Sequence, residues 1–172
     1  MKLMIFCIGV LASMWMLVPT LEANAISITL EFAKKEDDLH WGLMQRRSLP
    51  KDHGMLFIYP QTRRISLWSF NCWMDFAVAF LDEKKMITEI RLLKAYPEKM
   101  DPKRPVKSLK DFHLYPAKDP ILSFFQKHGI KSSVNAKYAL EMPAGWFEDH
   151  NVRIGDQLMW NQETGSGFII KK

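Results

Sequence analysis

Residues Ile26, Ile28, Leu30 and Phe32 alternate with Ser27, Thr29 and Glu31, the period-two pattern of a strand with one buried face. A charged stretch from Lys34 to Met44 follows, with Leu39, Leu43 and Met44 at helical spacing and Gly42 interrupting it. Met55 to Tyr59 reads as a second apolar strand, closed by Pro60. Ile65 to Leu81 is a long apolar run expected to bend near Asn71-Cys72. The polar turn Asp82-Glu83-Lys84-Lys85 sends the chain back as Met86 to Leu92, its hairpin partner. After Asn71, the side chains of Met74, Phe76, Val78 and Phe80 share one face, expected to be core. Trp73, Asp75, Ala77, Ala79 and Leu81 share the other.

The alternation stops between Arg91 and Pro120, where Pro97, Pro102, Pro105, Pro116 and Pro120 leave little room for regular structure. Asp119-Pro120 then reads as an N-cap with proline at the first helical position, opening a helix to His128 that Gly129 stops. Its apolar side chains Ile121, Leu122, Phe124 and Phe125 are expected to dock back on the body, since exposing them would invite association. Val134, Ala136, Tyr138, Leu140 and Met142 alternate again. A short helix around Trp146 to His150, a Gly155-Asp156 turn, and strands at Gln157–Trp160 and Phe168–Ile170 complete the chain. Many short strands with few helices predict a mainly β fold, a compact sandwich or distorted barrel with a few short helices and a Pro/Lys-rich insert over residues 91–131.

The first 25 residues change the picture. Lys2 supplies a positive start, Leu3 to Val18 an apolar run, Pro19 its end, and Ala23-Asn24-Ala25 a small-x-small cleavage site. The run is shorter than the roughly 20 residues of a spanning helix. It predicts a signal peptide cleaved after Ala25, with a retained amino-terminal anchor as the alternative. The expected product is a periplasmic or secreted protein with one β-rich domain, residues 26–172. Cleavage would remove Cys7 and leave Cys72 alone, excluding an internal disulfide. Cys72 reads as a small buried hydrophobe.

Composition adds bounds. Of 172 residues, 48% are hydrophobic and 25% charged, which excludes disorder and coiled coil. The net charge is +5 and stays there without the leader, which holds one base (Lys2) and one acid (Glu22). Residues 91–120 carry eight bases against four acids. Lys103, Arg104, Lys107 and Lys110 therefore suggest contact with an anionic membrane surface or cell-wall polymer. The other reading of this segment is a solvated loop. Nucleic acid is not an expected partner of an exported protein.

Three groups of residues carry a family resemblance. The first is Gly42-Leu43-Met44-x-Arg46, then Ser48-Leu49-Pro50 and Gly54-Met55-Leu56-Phe57. The second is Leu67-Trp68 with Asn71, leading into Ala79-Phe80-Leu81-Asp82. The third is Leu140-Glu141 with Ala144-Gly145-Trp146 and Gly155-Asp156. Together they resemble the exported family catalogued as domain of unknown function 192. The resemblance implies a mainly β, sandwich-like domain and no particular chemistry. The family pattern Phe-Trp-Met-Lys-Asn-Thr is here Leu67, Trp68, Ser69, Phe70, Asn71, Cys72. Ala77 stands where the family carries an Asp.

The candidate ligand-binding residues are Arg46, Trp68, Asn71, Asp75 and Glu141, for an unknown small or anionic ligand. Arg46 offers a planar fork for an anion, or else ties loop carbonyls or Glu141 in place. Asp75 partly replaces the missing family carboxylate in a shallow pocket with Asn71, Arg46 and Trp68, or else is a solvated strand residue. Glu141 faces away from Leu140 and Met142, either to pair with a base such as Arg46 or to serve as a ligand or catalytic carboxylate. Asp156 reads as a turn residue. His40, His53, His113, His128 and His150 show no metal-binding spacing. No phosphate loop, nucleophile elbow or cofactor motif is present, and no catalytic residue is assigned. These features favour an exported, non-catalytic binding or accessory module of the cell envelope. The alternatives are a small hydrolase or lyase using Glu141 and Asp75 with Arg46 as anion clamp, and a structural protein that assembles with an envelope partner.

Overall fold

A computed structural model describes residues 25–172. The expected leader lies outside the described residues except for Ala25, which opens the first strand opposite Ile170. The strands are β1 (Ala25–Ala33), β2 (His53–Arg63), β3 (Ser66–Leu67), β4 (Phe76–Leu81), β5 (Ile87–Leu93), β6 (Ile130–Lys131), β7 (Ala136–Pro143), β8 (Gln157–Asn161) and β9 (Ser166–Ile170). The helices are α1 (Glu36–Trp41), α2 (Pro120–His128) and α3 (Trp146–Asp149), with 3-10 turns at Pro97–Lys99 and Leu109–Leu114. Seven strands form one curled sheet in the order β5-β4-β7-β2-β1-β9-β8, and β3 and β6 form a separate two-stranded ribbon. The mainly β expectation holds, as a half-barrel. Its two edges meet at one end, where Met86 bridges Gln157 and the Ile87 amide donates to the Asp156 carbonyl at 2.8 Å.

The curl creates two cores. Its concave side is filled by residues from all seven strands, among them Ile28, Leu56, Ala79, Ile87, Leu140, Leu158 and Ile169, and plugged by Trp146 and Phe147 of α3. The convex side of the central strands, with Phe57, Phe76, Val78 and Phe80, is covered by Leu43, Met44, Leu67, Phe70, Val106, Tyr115 and Phe125. Strand β4 is consequently buried on both faces. The expectation of one core face corrects here: Ala77 and Ala79 are small because they lie inside the curl, against Leu140 and Met142. Trp73 and Asp75 precede the strand.

Two further corrections concern proline-containing segments. Strand β2 does not close at Pro60 but runs to Arg63, with a register shift against β7 between Ile58 and Arg63. Proline is tolerated in a strand at such an irregularity because no ladder amide is needed there. The insert is not a solvated loop either: Val106, Tyr115 and Phe125 are core, and α2 docks with Phe125 buried. As expected, Asp119 caps α2, accepting the Ile121 amide at 2.8 Å, with Pro120 at its first position. Gly129 passes so close to β3 that a Cβ there would lie 2.6 Å from the Leu67 carbonyl oxygen. Asp156 serves its turn, accepting from the Arg153 amide at 2.8 Å.

Gly54 is forced by packing, since it lies where β2 crosses β7. A Cβ there would meet Met142 Sδ at 2.3 Å and the Glu141 carbonyl oxygen at 2.6 Å. Because one obstacle is backbone, rotamer adjustment cannot remove the clash. Gly54→Ala is expected to destabilise the fold by roughly 1–3 kcal/mol, read as a lower urea midpoint with unchanged cooperativity.

Candidate functional site

Strand β7 is paired on both sides, with β2 and β4, and its side chains alternate between the two cores. Leu140 and Met142 enter the concave core. Glu141, opposite Met55 on one neighbour and Val78 on the other, faces the convex side. There it lines a cavity of about 860 Å³ between the sheet and its covering layer. Phe57, Tyr59 and Phe76 form the sheet wall; Leu43, Met44, Trp68, Cys72 and Phe112 face them from the cover. The exposed side chains of Lys34, Glu36, Asp37, His40 and Arg63 line its outer part.

Glu141 is 4% exposed. Among the described residues its carboxylate has no hydrogen-bond or ion-pair partner, and burial alone pushes its pKa up to about 8. The same burial, followed by repulsion from Glu141, raises the Tyr59 phenol to about 12 and lifts the Cys72 thiol well above its ordinary range. Such a thiol stays protonated and unreactive; Cys72 instead donates weakly to the Phe70 carbonyl at 3.6 Å. The buried hydrophobe expected at this position is what the structure shows. Chemically, the inner part of the site is an apolar, aromatic chamber with one buried carboxyl able to hold or release a proton near neutral pH. Among the described residues, no group of three or more His, Cys, Asp or Glu is arranged to hold a metal ion.

Of the five residues singled out by sequence, the structure brings Trp68 and Glu141 to this cavity and places the others elsewhere. Arg46 is engaged by Glu31 in a two-pronged pair at 2.6 and 2.5 Å, so it clamps neither a ligand nor Glu141. Asp75 accepts the Ala95 amide at 2.8 Å, fixing the chain beyond β5. Ala77, at the position of the family Asp, lies on the opposite face of the sheet from Glu141. The expected pocket shared by Arg46, Asn71 and Asp75 is therefore not formed. Asn71 is a structural tie. Its backbone is left-handed at φ 58°, its carbonyl accepts the Gln45 amide at 2.7 Å, and its side-chain amide donates to the Val106 carbonyl at 2.9 Å. The Gln45 side chain also donates to Val106. The loop after α1, the turn after β3 and the insert are thus joined at one carbonyl.

Sequence reasoning missed Tyr59, Phe57 and Phe112 as cavity residues. A Tyr beside Pro60 at the polar end of an apolar strand was the one available signal. In the basic insert, Arg104 is also occupied: it bonds Asp101 at 2.8 Å, Asp119 at 2.5 Å and the Leu114 carbonyl at 3.1 Å, and lies 4.3 Å from the Tyr115 ring. Lys103, Lys107 and Lys110 are exposed.

The buried carboxyl fixes a sign for pH dependence. A pKa of about 8 in the fold, against about 4.3 unfolded, means the folded state holds the extra proton between those values. Stability from this group is greatest below pH 4 and is lost as pH rises to 8, at up to about 1.4 kcal/mol per pH unit. Glu141→Gln is expected to flatten that fall and to raise the urea midpoint at pH 8. A variant no more stable than the parent at pH 8 would count against a buried, unpartnered carboxyl.

A solved structure of a candidate transcription regulator from Sinorhizobium meliloti 1021 is similar at a TM-score of 0.55 and 24% identity, covering 77% of this chain and 88% of that one. A protein of unknown function from Novosphingobium aromaticivorans DSM 12444 is similar at a TM-score of 0.56 and 17% identity, covering 76% of this chain and 74% of that one. At these identities the likeness shows the fold. No curated protein matches. The family DUF192, described as "Uncharacterized ACR", matches residues 19–160. With a match across most of its length, the chain belongs to the DUF192 family.

Proposed function

We propose that this protein is a small-molecule binding module of the cell envelope whose ligand occupies the cavity over Glu141. The observation that carries the reading is a carboxyl group buried to 4% exposure, with no hydrogen-bond or ion-pair partner among the described residues, facing a cavity of about 860 Å³. Buried polar groups ordinarily have partners. Apolar walls with a few placed polar groups, at a volume between about 300 and 1,000 Å³, are the usual make-up of a ligand site. The envelope location rests on the amino-terminal sequence pattern. Contact with an anionic envelope surface would fall to Lys103, Lys107 and Lys110, because Arg104 is engaged within the insert.

One observation favours an enzyme as the second reading: the raised carboxyl of Glu141 in a covered cavity is suited to proton transfer near neutral pH. That role would rest on Glu141 without Asp75 or Arg46, which are held elsewhere. Mass spectrometry of small molecules retained through native purification separates the two readings. A binder returns its compound unchanged after incubation, and an enzyme converts it.

The binding reading is tested with 1-aminoanthracene, a fluorescent aromatic probe that is neutral at pH 7. One saturable site per chain is expected, weakened about tenfold by Trp68→Ala through lost ring contact of about 1.4 kcal/mol. Absence of saturable binding, or binding indifferent to Trp68→Ala, would overturn it.

A further inference from the structure

We propose that the cavity selects an organic monocation: a primary or secondary amine on an aromatic or aliphatic body, with its ammonium on the Glu141 carboxylate and its body against Trp68, Phe57 and Phe112. The inference rests on the binding reading above and names the ligand class.

The floor of the cavity argues for positive charge. Of the acids lining the cavity, Glu36 and Asp37 are exposed at its outer part and Glu141 is buried at its floor. The basic side chains lining the cavity, Lys34 and Arg63, are both exposed, and neither pairs with Glu141. Above about pH 8, where Glu141 ionises, a ligand anion would set a second negative charge beside a carboxylate in low dielectric, where repulsion is little screened. A neutral ligand would leave the carboxyl as desolvated as before. An ammonium both neutralises the charge and donates N–H bonds to its oxygens, removing the penalty of ionising Glu141 in place. The walls agree, since aromatic faces attract cations within about 6 Å while offering apolar area to the rest of the molecule. A bare metal ion fits poorly, because among the described residues no three or more His, Cys, Asp or Glu converge to ligate one, and a hard cation takes six or more oxygens.

The same geometry sets a pH signature. The free carboxyl holds its proton up to about pH 8, so an amine must displace that proton. Below pH 8, binding releases one proton and affinity falls about tenfold per unit of decreasing pH.

The test is isothermal titration calorimetry on the protein with three probes of one shape: tryptamine (cation), tryptophol (neutral) and indole-3-acetate (anion). At pH 8.5 tryptamine is expected to bind at least tenfold tighter than tryptophol, with indole-3-acetate weakest. Tryptamine affinity should fall about tenfold per unit between pH 8 and pH 6, with a buffer-dependent heat that reports one released proton. Glu141→Gln should lower tryptamine affinity at pH 8.5 at least tenfold, to the level at which tryptophol binds the parent protein. Tryptophol or indole-3-acetate binding as tightly as tryptamine, or tryptamine binding unaltered by Glu141→Gln, would overturn the inference and leave the cavity a binding site. Binding of 1-aminoanthracene with none of the indoles would overturn it in the same way. If nothing binds, including 1-aminoanthracene, both readings fall.

Discussion

The central strands of this sheet have no face left for water, and the rest of the structure follows from that constraint. Strand β7 is hydrogen-bonded on both edges and buried on both faces from Ala139 to Met142. A sheet in that position needs two covers. The concave cover is the sheet itself, curled until β5 and β8 touch through Met86 and Gln157. The convex cover is assembled from α1, the β3–β6 ribbon and the insert, drawn together where Gln45 and Asn71 meet the Val106 carbonyl. A carboxylate on the convex side of β7 is largely buried whatever its own preference, and meets the outside only through the cavity. The raised pKa of Glu141 is thus a consequence of sheet architecture more than of any neighbouring charge.

The insert shows how charge content can mislead about burial. Its lysines and prolines describe its outer side. Its inner side is Val106, Tyr115 and Phe125, which interlock with Phe70 through edge-on ring contacts at 5.1 Å to Tyr115 and 5.4 Å to Phe125. Arg104 binds two carboxylates, Asp101 and Asp119, and holds both below the usual carboxylate range. A segment with little regular structure is in this way fixed by side chains. Burial of rings, and not backbone pairing, supplies most of its attachment.

Much of the fold was legible because half-buried strands announce themselves. The alternation in β1 and β7 gave their existence and the direction of Glu141, and Asp119-Pro120 gave the start of α2. Strand β4 was harder for a physical reason. When both faces are buried, alternation of polar and apolar residues disappears, and the alanines at 77 and 79 look like vacant space when they are tight packing inside a curl. The site was half legible. Trp68 and Glu141, named separately as candidates, line one cavity, whereas Arg46 and Asp75 were chosen on residue type. Their partners, Glu31 and the Ala95 amide, lie 15 and 20 residues away, and spacing alone carries no record of such pairings.

The central claim is that Glu141 sits buried, without a protein partner among the described residues, over a cavity lined by aromatic rings, and keeps its proton at neutral pH. Carbon-detected NMR of the side-chain carboxyl of Glu141, followed from pH 4 to pH 10 in the ligand-free protein, measures this directly. The account predicts a titration midpoint near 8. A midpoint in the ordinary range for glutamate, near 4.3, would mean that water or a protein cation reaches the carboxylate, and would contradict it.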